Sequence, residues 1–143
     1  MKQLILFLGI LALPVFAGAQ GNSHDIVNIL DPASCRSYRI ADYTRFHTLQ
    51  EVITEFVKEL RWREGRMEIL CTDDDGMTYH FSKAGLFLVD GVPVENEETV
   101  IDLDPDRLEE IRVYPDCYLL DGKRFDGVVN FIRIPAEQGR LPR

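Results

Sequence analysis

Three cysteines, three histidines and 24 carboxylates are the side chains of this 143-residue chain that could do chemistry. Zinc and dithiol sites are read from close pairs of such ligands. Cys35, Cys71 and Cys117 show no C-x-x-C spacing, and His24, His47 and His80 lie far from one another and from any such spacing. The spacing predicts no metal and no cofactor. The acidic run Asp73-Asp74-Asp75 before Gly76 invites a calcium reading, but an EF-hand loop needs alternating ligands and a Glu at its twelfth place, where Ala84 stands. Asp and Gly are the residues that turns use. General acid-base or nucleophilic catalysis needs paired carboxylates or a nucleophile beside a base. Ser82 is the only serine after Ser37, the histidines sit in no catalytic spelling, and no carboxylate pair stands out. No catalytic residue is assigned, and a small secreted hydrolase with a carboxylate site is the alternative reading. Three Asp-Gly pairs remain: Asp90-Gly91, Asp121-Gly122 and Asp126-Gly127. Their chemistry is that of turns, with Asp-Gly the favoured type I′ dipeptide. Together with Pro93 they are candidate partner-binding positions.

The compartment comes from the N-terminus. "MKQLILFLGILALPVFAGAQ" has Lys2, an apolar run from Leu4 to Phe16, and small residues at Ala17 and Ala19. This is the build of a secretory signal peptide over residues 1–19, cleaved before Gln20. The run is short for a membrane span and no second one follows, so the mature chain is expected to have no transmembrane segment. Mass spectrometry of the exported product should find Gln20, or its cyclised form, as the first residue. An intact Met1 on membrane-extracted protein would contradict the cleavage. Loss of Lys2 takes the net charge from −8 to −9. That sign suits neither nucleic-acid phosphates nor anionic headgroups. Export permits disulfides, and three cysteines allow at most one bridge within a monomer. Cys35 and Cys117 follow turn-like residues and are the candidate pair. Cys71 alternates with Met67 and Ile69 and reads as a small core residue.

Residues 20–37 read as an extended lead-in with one apolar patch, "DIVNIL", whose Ile26, Val27 and Ile29 form a candidate strand-addition segment. "SYRIADY" opens a domain over residues 38–135. Thr48 and Glu51 form a capping box before Leu49, Val52, Ile53, Phe56, Val57 and Leu60, whose three- and four-residue steps predict an amphipathic helix. "RMEILC" and "MTYHF" flank "TDDDG" as a hairpin. "LFLV" is apolar on both faces, as a doubly buried strand is, and turns at Asp90-Gly91 into "VPV". Pro93 has no N–H for a ladder and marks a short or edge arm. "ENEETVIDL" reads as a short helical turn, and Asp104-Pro105 opens another. A strand around Ile111 and Val113, a connection "CYLLDGKRFDG", a closing strand "VVNFIRI" and a polar tail over residues 136–143 follow. The class is α+β, a small mostly antiparallel or mixed sheet with one main amphipathic helix.

The order of three of these segments resembles the plug domain of TonB-dependent outer-membrane receptors, nearest to the starch-uptake type. Val89-Asp90-Gly91-Val92-Pro93 matches its V-D-G-x-P strand end. Leu108-Glu109-Glu110-Ile111-Arg112-Val113 matches its D-I-E-x-I-x-V strand, and Gly127-Val128-Val129 its G-V-V/I-x-I strand. "CYLLDGKRFDG" replaces the Ala-rich, Tyr-Gly-containing segment of such plugs. "DYTRFHTLQEVI", Asp42 to Ile53, is also similar to the plug-like modules that end large exported macroglobulin-type proteins. Nine residues follow Ile134, fewer than one barrel strand of about ten residues. The resemblance therefore implies a plug-like fold without receptor activity. It implies a monomeric binding or adapter module with an exported or outer-membrane protein as partner, in the periplasm, at the outer membrane or on the cell surface.

Overall fold

A computed structural model of the protein describes residues 30–42, 45–73 and 75–136. The chain divides into the units Met1–Leu30 and Asp31–Arg143, and the second unit carries the sheets and helices. The signal-cleavage residues Ala17, Ala19 and Gln20, the segment Ile26, Val27 and Ile29, and the tail beyond Ala136 lie outside the described residues. The class is α+β, as the sequence pattern predicts.

Ten strands and two α-helices form three open sheets among the described residues. Strand β1 (Arg36–Arg39) begins two residues before the expected domain start and leads into a single 3-10 turn, Ile40–Asp42. Helix α1 (Leu49–Phe56) follows, then β2 (Leu60–Arg63), β3 (Arg66–Thr72), β4 (Tyr79–Ser82), β5 (Gly85–Val89) and β6 (Val92–Pro93). Helix α2 (Glu97–Ile101), a 3-10 turn at Pro105–Arg107, β7 (Leu108–Tyr114), β8 (Tyr118–Leu120), β9 (Lys123–Phe125) and β10 (Gly127–Arg133) complete the order. The main sheet runs β1-β7-β10-β5-β6 and is mixed: β10 pairs parallel with β5, and every other neighbour is antiparallel. A meander β2-β3-β4 forms the second sheet and β8-β9 a separate hairpin.

Register explains the core. Val89, Phe131, Ile111 and Tyr38 line up across four strands, and Phe87, Val129 and Val113 line up two residues along. Residues two apart on a strand share a face, so both rows point to one side. Buried residues of these rows join Leu49, Val52 and Ile53 of α1, Leu60 of β2, Met67 and Ile69 of β3, and Val100 of α2 in a single cluster. The alternate residues Leu86, Leu88 and Val128 are buried as well, so "LFLV" is the doubly buried strand its composition predicts.

The caps form with one change. Thr48 accepts from the Glu51 N–H at 3.2 Å, while the Glu51 carboxylate accepts from the N–H of His47 rather than that of Thr48. Phe46 packs edge-on against Phe56, with ring centroids 5.0 Å apart. The expected helix through Leu60 stops early. Val57 leaves helical geometry at φ −94°, ψ 88°, and Leu60 pairs with Ile69 instead. The apolar spacing runs on across the boundary because Val57 and Leu60 enter the same core from different elements. The Glu64-Gly65 turn, with φ of 52° and 73°, then closes β2 on β3. The expected connection "CYLLDGKRFDG" is also corrected, since most of it is the β8-β9 hairpin.

Candidate functional site

The two larger sheets meet at a pair of glycines. Gly85 and Gly127 are partners in the parallel ladder of β5 and β10. A Cβ on Gly127 would stand 2.4 Å from Ile69 Cδ1 and 3.1 Å from the Tyr114 carbonyl oxygen. A Cβ on Gly85 would stand 3.3 Å from Ile69 Cγ2. The absent side chains are the seat for Ile69, which is fully buried. Asp126-Gly127 is therefore not the turn its spelling predicts. Gly127 opens β10 without a positive φ, and its role is close approach rather than backbone reversal.

Seating Ile69 carries its strand neighbours with it. Cys71, two residues along β3, faces His80 of β4 in the antiparallel register. Its Sγ lies 3.3 Å from His80 Nε2, and the other ring nitrogen, Nδ1, lies 2.8 Å from Asp73 Oδ1. Asp126, one residue before Gly127, closes the group. Cys71, His80 and Asp126 each place one ligand-type atom within 4.8 Å of the others. A clasp holds Asp126: its Oδ2 accepts from Ser82 Oγ at 2.6 Å, and its N–H donates to the Ala84 carbonyl at 2.8 Å. Arg124 Nε stands 3.6 Å from Asp126 Oδ1. Cys71, Asp73, His80, Arg124 and Asp126 line a cleft of about 400 Å³ together with Thr72 and Asp75.

The order carboxylate, imidazole, thiol matches that of nucleophilic triads. The electrostatics do not. Burial pushes the Cys71 thiol up, and the carboxylates of Asp126 and Asp73 push it further, against a smaller opposing pull from Arg124. An activated thiol needs the reverse, a positive neighbourhood that favours thiolate. Asp75 belongs to the turn. It accepts from the N–H groups of Met77 and Thr78, which hold its carboxyl below the usual range. Asp75 and Gly76, the latter at φ 69°, do turn chemistry, as their composition predicts.

The other candidate residues are dispersed. Asp90 and Gly91, at φ 51° and 81°, make the two-residue turn between β5 and β6, and Pro93 lies on the short edge strand β6. The Asp90 carboxylate accepts from the backbone N–H and the Nε of Arg133, and the Gly91 N–H donates to the buried Asn130 side chain at 2.9 Å. That turn is fastened to the end of β10. Asp121 and Gly122, at φ 51° and 76°, make the equivalent turn of the β8-β9 hairpin. All three cysteines are free thiols, so the expected Cys35–Cys117 bridge is absent. The β1-β7 register leaves Cys35 at the Tyr114 end of β7, where the two side chains hydrogen-bond, and Cys117 lies three residues past that strand.

The sequence predicts this hairpin but not the pairing of Cys71 with His80, because the expected loop "TDDDG" sets Cys71 opposite Met77. A six-residue loop from Asp73 to Thr78, closed by the Asp73 N–H on the Thr78 carbonyl, fixes Thr72 opposite Tyr79 and so Cys71 opposite His80. Asp126 had no signal in the sequence, because tertiary contacts bring it there: the Ile69 seat at Gly127 and the clasp on Ser82 and Ala84. No family model matches the chain, and no curated protein matches it, so the plug-domain resemblance stands on its own motif residues.

Proposed function

We propose that the protein is an exported, non-catalytic, plug-like binding or adapter module that acts as a monomer with an outer-membrane or surface protein. One observation carries this reading: the three segments of the resemblance, far apart in sequence, are β5 with its turn, β7 and β10 of one sheet, with β10 between the other two. Segments of a shared module must be neighbours in space, and these are. The turn residues offer little catalysis, since Asp90 is engaged by Arg133. The sheet offers pairing instead. Among the described residues β1 and β6 are its outer strands, and Val92 on β6 is 48 % exposed beside Pro93. Outer strands that keep one ladder side open accept an added strand. No helix among the described residues is long and apolar enough to cross a membrane.

Cross-linking in the native cell envelope tests the reading. The full chain is expected to capture one exported or outer-membrane protein. A variant lacking residues 25–30 separates the routes: loss of the product assigns the contact to strand addition by "DIVNIL", and retention assigns it to the folded module. A full chain that captures no partner but turns over a substrate, and loses that activity in Asp90→Asn, overturns the proposal.

A further inference from the structure

We propose that Cys71, His80 and Asp126 form a zinc site, with Asp73 as the carboxylate that orients the histidine. The donor set decides the metal class. A thiolate, an imidazole and a carboxylate suit Zn²⁺, whereas Ca²⁺ and Mg²⁺ take oxygen ligands. Geometry agrees. A tetrahedral zinc with usual bond lengths holds its sulfur and nitrogen donors about 3.6 Å apart. Cys71 Sγ and His80 Nε2 already stand 3.3 Å apart, and the Asp126 oxygen falls within the same 4.8 Å group.

The surroundings are those of a ligand set. Ligating histidines donate their second ring N–H to a carboxylate, which fixes the tautomer and aims the other nitrogen at the metal. Asp73 Oδ1, 2.8 Å from His80 Nδ1, stands where that partner belongs, and Nε2 faces the thiol. Ser82 holds one Asp126 oxygen and leaves Oδ1 beside Arg124 at 3.6 Å. An ion pair of that length, to an arginine side chain 59 % exposed, is weak opposition to a divalent cation. Asp73, Asp75 and Asp126 bring three carboxylates to the cleft, a charge balance that suits a cation. Binding exchanges the thiol proton for the metal and releases that proton to solvent. Three protein ligands leave the fourth position of the zinc for water or for a donor from a bound partner.

Zinc titration of the reduced full chain, against a competing chromophoric chelator, tests the assignment. One Zn²⁺ per chain is expected to bind, undisturbed by excess Mg²⁺ or Ca²⁺. Co²⁺ in its place should show thiolate-to-cobalt absorption. His80→Ala, at an exposed position that the core does not need, should weaken binding by at least the roughly 100-fold that marks the upper end for loss of an outer-shell partner, and leave the fold intact. Cys71→Ser should abolish the thiolate band. Asp73→Asn should weaken binding by about 10-fold, since it acts through the imidazole. His47→Ala should change nothing. Zinc binding that is absent, or that survives His80→Ala at full strength, overturns the site, as does a cobalt complex without a thiolate band.

Discussion

Gly127→Ala is expected to destabilise the domain by about 1–3 kcal/mol in urea melts, and Gly127→Val by more. The added Cβ falls 2.4 Å from Ile69 Cδ1 and 3.1 Å from the Tyr114 carbonyl oxygen, and both residues are buried, so either the Ile69 side chain or the backbone must shift. A total stability of about 5–15 kcal/mol makes that a large fraction. The contact itself can be isolated. Ile69→Val removes the clashing Cδ1 and by itself should cost about 1 kcal/mol. Combined with Gly127→Ala it should cost less than the sum, with a coupling of at least about 1 kcal/mol. Gly65→Ala is the control for backbone strain alone, because Gly65 has φ +73° and nothing within 4 Å of an added Cβ. It should lose about 1–2 kcal/mol and show no coupling to Ile69→Val. Additive losses at Gly127 and Ile69 would remove the glycine seat as the joint between the sheets.

Local rules in the sequence reached some elements and stopped at others for physical reasons. Asp90-Gly91 and Asp121-Gly122 became turns with both residues at positive φ, because two-residue type I′ geometry is a property of the dipeptide and its flanking strands. Asp126-Gly127 has the same spelling and a different fate. Its geometry is set by Ile69, more than fifty positions away, and no dipeptide rule contains that contact. The helix was legible at its start, where Thr48 and Glu51 cap it locally, and misread at its end, where pairing of Leu60 with Ile69 overrides the apolar period. β8 and β9 were missed because the three-residue arms "YLL" and "KRF" show little alternation. The candidate site follows the same division. The hairpin that carries Cys71 and His80 was legible but its register was not, because the Asp73 N–H closes on the Thr78 carbonyl and lengthens the loop past "TDDDG"; Asp126 arrives by tertiary packing.

Arg61→Ala is expected to cost about 2–3 kcal/mol, the largest loss from any single change to the meander's polar side chains. Arg61 and Glu68 are direct partners across β2 and β3, and Arg61 Nε donates to Glu68 Oε2 at 2.7 Å while its terminal nitrogen reaches the same oxygen. The Glu68 side chain is 6 % exposed, so removal of the guanidinium strands a buried carboxylate. Breaking a buried pair costs about 3–5 kcal/mol, and the 40 % exposure of Arg61 brings this pair below that range by letting water approach. The guanidinium also sits 4.1 Å from the centre of the Phe81 ring, so its loss uncovers that face on β4. Arg61→Lys keeps the charge but not the planar stack or the fork, and should lose about 1 kcal/mol. The double variant Arg61→Ala/Glu68→Leu should recover most of the loss, because it removes the stranded charge rather than restoring its partner. A loss under about 0.5 kcal/mol for Arg61→Ala would class the pair with ordinary surface ion pairs. The meander would then depend on its apolar face alone, on Leu60, Met67 and Ile69, to hold the strands that carry Cys71 and His80.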